Sequence, residues 1–219
     1  MSQGLKTAIF FTSRCMVRYW MLVPRWAVLA GVAVLYLLVI WRVLAGGTDP
    51  WSVTIRLAAL TGLLTLQLAA MMSPFLREIR KVLGAPFLAV HHRAALAGLI
   101  LITLHPVSLA LRLGRADLFI PVTRSLDAFL MNGGRAALIL VYAGVLAAVF
   151  QGWLGKGWRP VHALLYIAIL LGTVHANLIG SDLADPVLFV IVNGMTLLVV
   201  AAFLAKRWQR HAAATPTNR

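Results

Sequence analysis

Cysteine is almost missing from this chain, and negative charge is nearly as scarce. The single cysteine, Cys15, excludes an internal disulfide and any all-cysteine metal or iron–sulfur centre. Six acidic residues occur, none of them within a long apolar run, so the apolar segments offer neither thiolate nor carboxylate to complete a zinc or copper site. Charged residues of both signs reach 12%, where a soluble domain carries about 25%. No low-complexity tract occurs, and no polar stretch is long enough for a soluble catalytic domain.

What fills the space is hydrocarbon. Apolar residues make up 61% of 219 positions, and several runs reach the ~20 residues that a helix needs to cross a ~30 Å apolar layer. Strands are excluded by the length of these runs, because an open sheet in lipid leaves backbone groups unpaired. The pattern predicts an all-α membrane bundle of six transmembrane helices: Trp26–Ala45, Val53–Met72, Pro86–Leu111, Ala136–Trp153, Pro160–Ile179 and Pro186–Ala205. Pro86, Pro160 and Pro186 suit first helical turns, where a missing N–H costs nothing. Gly46–Pro50, Met131–Gly134 and Gly180–Asp182 carry turn chemistry. Residues 1–25 read as a basic N-terminal segment, 26–206 as the membrane domain and 207–219 as a tail that is irregular after Arg210. No cleavable signal peptide is indicated, since the first apolar run is long enough to span.

Lys and Arg in short loops set orientation. With six spans, one set of ends holds 14 basic residues: Lys6, Arg14, Arg18, Arg25, Arg77, Arg80, Lys81, Arg93, Lys156, Arg159, Lys206, Arg207, Arg210 and Arg219. The opposite set holds six, Arg42, Arg56, Arg112, Arg115, Arg124 and Arg135, along with five of the six acids. Both termini are therefore expected in the cytoplasm, in a multi-pass protein of a bacterial inner membrane. The net charge of +14 is accounted for by this asymmetry, and no nucleic acid partner is expected.

Five of six histidines, His91, His92, His105, His162 and His175, fall inside the predicted spans, where an imidazole is costly unless paired or ligated. His91 and His105 are 14 residues apart on the third span, and His162 and His175 are 13 apart on the fifth. At 1.5 Å per residue both separations are about 20 Å. The two spans enter from one side and run parallel, so His91 lies level with His162, and His105 with His175. Facing helices that offer two imidazoles at each of two levels suit a pair of bis-histidine haems. Fourteen steps at ~100° return to within ~40° of the starting face, which couples His91 with His105 and leaves His92 as the neighbouring alternative. Thirteen steps end ~140° away, so the fifth helix must be distorted between its histidines.

The stretch Gly155-Lys156-Gly157-Trp158-Arg159-Pro160-Val161-His162-Ala163-Leu164-Leu165-Tyr166, followed by His175, resembles the fifth helix of the ferric reductase-like transmembrane domain family. That family includes ferric reductases, the membrane part of NADPH oxidases and the haem subunit of a periplasmic methionine sulfoxide reductase system. Ser73-Pro74, the basic turn Arg77–Lys81 and Leu104-His105-Pro106 are similar to it as well, so the resemblance runs over residues 26–206. It implies a di-haem b cytochrome, with His91 and His162 as axial iron ligands of the inner haem and His105 and His175 of the outer one. It further implies transmembrane electron transfer from a separate flavin reductase or quinol to an outer acceptor: ferric iron, oxygen or a periplasmic reductase. No flavin and nicotinamide domain follows the sixth helix, so flavin enters only through a partner, and the chain is expected to be an oxidoreductase subunit.

Other features have ordinary readings. Arg93, Arg112 and Arg115 either neutralise a haem propionate or sit in solvated ends. Trp26, Trp41, Trp51, Trp153, Trp158 and Trp208 suit an aromatic belt. Tyr166 lines a haem or packs in the core. The alternative from another class is a cofactor-free transporter or assembly scaffold whose histidines join helices or carry protons.

Overall fold

The computed structural model of the chain describes residues 25–47, 49–73 and 87–214. Cys15, Pro74, Pro86 and the basic residues Lys6, Arg14, Arg18, Arg77, Arg80, Lys81 and Arg219 lie outside the described residues. Within them the chain is helical, with no strand. The long helices are α1 (Arg25–Ala45), α2 (Pro50–Met72) and α3 (Phe87–Leu113). The short α4 (Leu126–Met131) leads into α5 (Gly133–Val149) and the single turn α6 (Gln151–Leu154). A one-residue break at Ala163 separates α7 (Trp158–His162) from α8 (Leu164–Ile179), and α9 (Pro186–Ala214) closes the fold.

Five stretches are long and apolar enough to cross a membrane: Trp26–Ala45, Pro50–Met72, Leu88–Leu113, Gln151–Ile179 and Pro186–Gln209. The apolar helix α5 is shorter, at 17 residues. The protein is thus a multi-pass membrane protein, and lipid is its surroundings. Trp26, Leu37, Trp41, Leu111, Val149, Trp153, Val190 and Leu197 turn outward from the helices, which hydrocarbon tolerates and water does not.

Several boundaries differ from those read in the sequence. Gly133 and Gly134, read as a turn, are the first residues of α5, and Trp153 belongs to a separate turn after it. Helix α9 continues to Ala214, so His211 to Ala214, expected in an irregular tail, extend a helix. Gly155, at φ 55°, makes the turn between α6 and α7, a left-handed conformation that suits glycine.

Two pairs of helices dominate the packing. Helix α2 lies along α3, and α5 lies along α7 and α8, while α3 and α5 barely touch. Close approach within the first pair depends on Gly62 and Gly98: a Cβ on Gly62 would meet the Ile102 nitrogen at 2.8 Å, and one on Gly98 would meet Leu66 Cδ2 at 2.8 Å. Small residues at such seams let helix backbones approach in lipid, where no hydrophobic force drives association. On the far side of α2, Val39, Val43, Leu60, Leu64, Leu188 and Val192 form a buried core joining α1, α2 and α9. Gln67 is fully buried there and donates to the Val192 carbonyl at 3.1 Å and to Thr196 Oγ1 at 2.8 Å.

Ion pairs gather at one end. Arg42 of α1 pairs with Asp185, which also caps α9 by accepting from the Val187 and Leu188 N–H groups at 2.9 and 3.1 Å. Arg56 of α2 pairs with Asp182 at 2.5 Å, and Arg112 of α3 with Asp49 at 2.7 Å. Arg115 pairs with Asp117 at 2.7 Å. Of the described acids, Asp49, Asp117, Asp182 and Asp185 lie on the connections between α1 and α2, α3 and α4, and α8 and α9, and Asp127 opens α4.

Candidate functional site

Because α3 and α5 stand apart, a cavity of about 1040 Å³ opens between the two helix pairs. That is at the top of the ~300–1,000 Å³ range of small-molecule sites. It runs the height of the bundle, from Ser73 and Trp158 at one end to Ser52 and Asp182 at the other. Apolar side chains such as Leu63, Leu66, Ile102, Leu138 and Ile169 make up most of its wall. His91, His105, His162 and His175 all line it; His92 and Arg93 do not.

Each of the four histidines bonds to the helix beside it through Nδ1. His91 reaches the Ala69 carbonyl at 3.2 Å, and His105 the Ile55 carbonyl at 3.2 Å, both on α2. His162 reaches the Gly144 carbonyl of α5 at 2.9 Å, and His175 the Met131 carbonyl at the end of α4 at 2.6 Å. A carbonyl only accepts, so Nδ1 carries the proton and donates. In a neutral imidazole Nε2 is then the lone-pair nitrogen, the tautomer that ligates a metal. Metal-binding histidines very commonly have the other ring nitrogen fixed in this way.

The acceptors repeat the spacing of the donors. Ile55 and Ala69 are 14 residues apart, as are His91 and His105; Met131 and Gly144 are 13 apart, as are His162 and His175. Each histidine helix therefore lies in a constant antiparallel register against its neighbour, and one contact is made twice along it. The break at Ala163 lies between the two histidines of the α7–α8 segment, where the Tyr166 N–H bonds back to the Ala163 carbonyl at 3.1 Å. Such an i to i+3 bond winds the chain at ~120° per residue rather than ~100°. Each tightened residue recovers ~20° of the ~140° offset of thirteen ordinary helical steps.

His91 and His162 face each other with ring centroids 6.5 Å apart and planes at 72°. Two imidazoles on opposite sides of a metal, each bonded at about 2.0 Å, stand about 6 Å apart centre to centre. His105 and His175 both line the cavity at the other level. Among the described residues no three His, Cys, Asp or Glu side chains converge to hold a bare metal ion. Two histidines per level fall short of the four ligands of a structural zinc site. They match the number needed by a planar group that brings four nitrogens of its own.

Further residues complete the wall, and of these Arg135 was given no site reading in the sequence. Trp158, assigned to an aromatic belt, packs on His162 with centroids 5.6 Å apart, and the Arg159 guanidinium lies 5.9 Å over its ring. Tyr166 lines the cavity and also stacks on Phe203 at 4.5 Å. Arg112 lines the cavity while paired with Asp49, whereas Arg115 turns away to Asp117. Arg135 lines it beside His175 and donates to the carbonyls of Asp117 and Ile120 at 2.8 and 3.0 Å. The Trp-x-x-x-His spacing signals the first of these contacts, since residues four apart meet on one helical face. Backbone acceptors carry no side-chain signature at all. Compared with known proteins, the chain matches no family model, no curated protein and no solved structure.

Proposed function

We propose that this chain is a di-haem b cytochrome of the ferric reductase-like transmembrane type, moving electrons across a membrane. The observation that carries the reading is the pair of histidine levels in one tall apolar cavity, each imidazole held at Nδ1 by a carbonyl of the neighbouring helix. When bound, the haems would relay single electrons. His91 and His162 would hold one at the cytoplasmic level, and His105 and His175 the other at the outer level. Two imidazoles of this chain would hold each haem, an arrangement that would suit electron transfer rather than oxygen binding. The carbonyl bonds fix ring orientation and raise the basicity of Nε2.

In this reading the bundle has six crossings, with α5 as the shortest, and both termini in the cytoplasm of a bacterial inner membrane. At ~1.5 Å per residue its 17 residues cover about 25 Å; α4 and α6 complete the passage. Electrons come from a separate flavin reductase or from quinol, and leave to ferric iron, oxygen or a periplasmic reductase. Purified protein should be red, with the sharp α-band of low-spin haem b after dithionite reduction and two haems per chain by pyridine haemochrome. A colourless product of haem-supplemented expression would instead favour the cofactor-free transporter or scaffold. Reporter fusions should read cytoplasmic on the tail after Ala214 and periplasmic between Gly114 and Arg124; the same side for both would refute six crossings.

A further inference from the structure

Two adjacent glycines open α5, Gly133 and Gly134. Neither has positive φ, so no backbone conformation requires glycine there, and glycine is a poor helix former. Space supplies the reason. A Cβ built on Gly134 would stand 2.9 Å from both Cδ2 and Nε2 of His175, nearer than real side chains approach. A Cβ on Gly133 would instead meet the Leu171 carbonyl oxygen at 3.2 Å, with His175 Cβ at 3.8 Å. The His175 ring has little freedom to retreat, because its Nδ1 donates to the Met131 carbonyl at 2.6 Å. Residues Met131 to Gly134 therefore hold the ring at one nitrogen and make room for it at the other.

We infer that Gly134 is a positioning residue for His175: its missing side chain lets the Nε2 edge of the imidazole lie against α5 at the cavity wall. The inference rests on the reading of His175 as an axial ligand of the outer haem. Any Cβ at this position forces the ring to rotate or to give up its bond to Met131, and either change moves Nε2.

The test compares the full-length variants G134A, G133A, H175A and G134A/H175A, purified from haem-supplemented membranes. G134A should lose or convert to high spin the outer haem, about half of the total, with the inner haem's low-spin signals unchanged. G133A, which strains the same seam without touching Nε2, should keep both. A thermal-unfolding cycle covers the case of poor folding: G134A should lower Tm in the wild-type background and have little effect once His175 is Ala, because the clashing ring is gone. This cycle is read with or without haem, so a colourless wild type counts against the proposed function and leaves the Gly134–His175 coupling testable. A G134A spectrum identical to wild type, or an equal Tm loss in both backgrounds, would overturn the inference.

Discussion

The two ends of the cavity are built on one plan and finished differently. At both, a histidine of α3 leans on α2 and a histidine of the α7–α8 segment leans on the helix before it. The His105/His175 end is ringed by ion pairs that join α1, α2 and α3 to the connections, and Gly134 leaves room there for the His175 ring. The His91/His162 end has no acidic residue among those described, and aromatic contacts surround it: His92 at 5.9 Å from His91, and Trp158 at 5.6 Å from His162. A repeated register thus supplies two equivalent histidine pairs, and the flanking chemistry makes one end tightly tied and the other cationic and aromatic.

The sharpest way to separate the ends is His162→Ala. On the proposed di-haem reading it should abolish reduction of either haem by a cytoplasmic donor, while dithionite still reduces the outer one. His91→Ala should match it, and His92→Ala should be mild, because His92 is outside the cavity. If His92→Ala alone removed the inner haem, the ligand assignment would pass to it.

Ion pairs should matter in order of burial. Side-chain exposure is 23% and 11% for Arg56 and Asp182, against 40% and 43% for Arg112 and Asp49. Arg56→Met should cost on the order of 1–3 kcal/mol, since Asp182 is left poorly solvated. Arg112→Met should cost about 1 kcal/mol or less. Unfolding in detergent checks both, and a larger loss from Arg112→Met would contradict the ranking.

Much of this was legible in the sequence, and the parts that were not have physical reasons. Hydrophobic run length located the helices to within a few residues, except that the last one runs on from Ala205 to Ala214, and parallel entry of the third and fifth spans put the histidines into two levels. The thirteen-residue interval signalled a distortion without its place: Val161-His162-Ala163-Leu164 contains no glycine or proline to mark the break at Ala163. Gly133-Gly134 read as a turn because the side chain it makes room for, His175, is distant in sequence. The carbonyls of Ile55, Ala69, Met131 and Gly144 were invisible, since any residue supplies one.

The smallest effect concerns acid. The guanidinium of Arg42 holds Asp185 below its ordinary pKa, and Arg115 does the same for Asp117; for Asp49 the main cause is hydrogen bonding at Ser52, with Arg112 adding to it. Depressed folded values mean stability that is complete above the ordinary ~3.9 and lost as pH falls below it. With the proposed haems bound, the outer one's spectrum should therefore change before the inner one's when pH is lowered from about 5 to about 3. Simultaneous change would show that the ion pairs do not distinguish the ends.

The central claim, two levels each served by one histidine from α3 and one from the α7–α8 segment, is tested most directly by haem loss in single variants. Electron paramagnetic resonance and redox titration of His105→Ala and His175→Ala should show the same haem missing, and the double variant should be no worse than either single one. If these two variants lose different haems, the stacked arrangement and the electron path built on it are wrong.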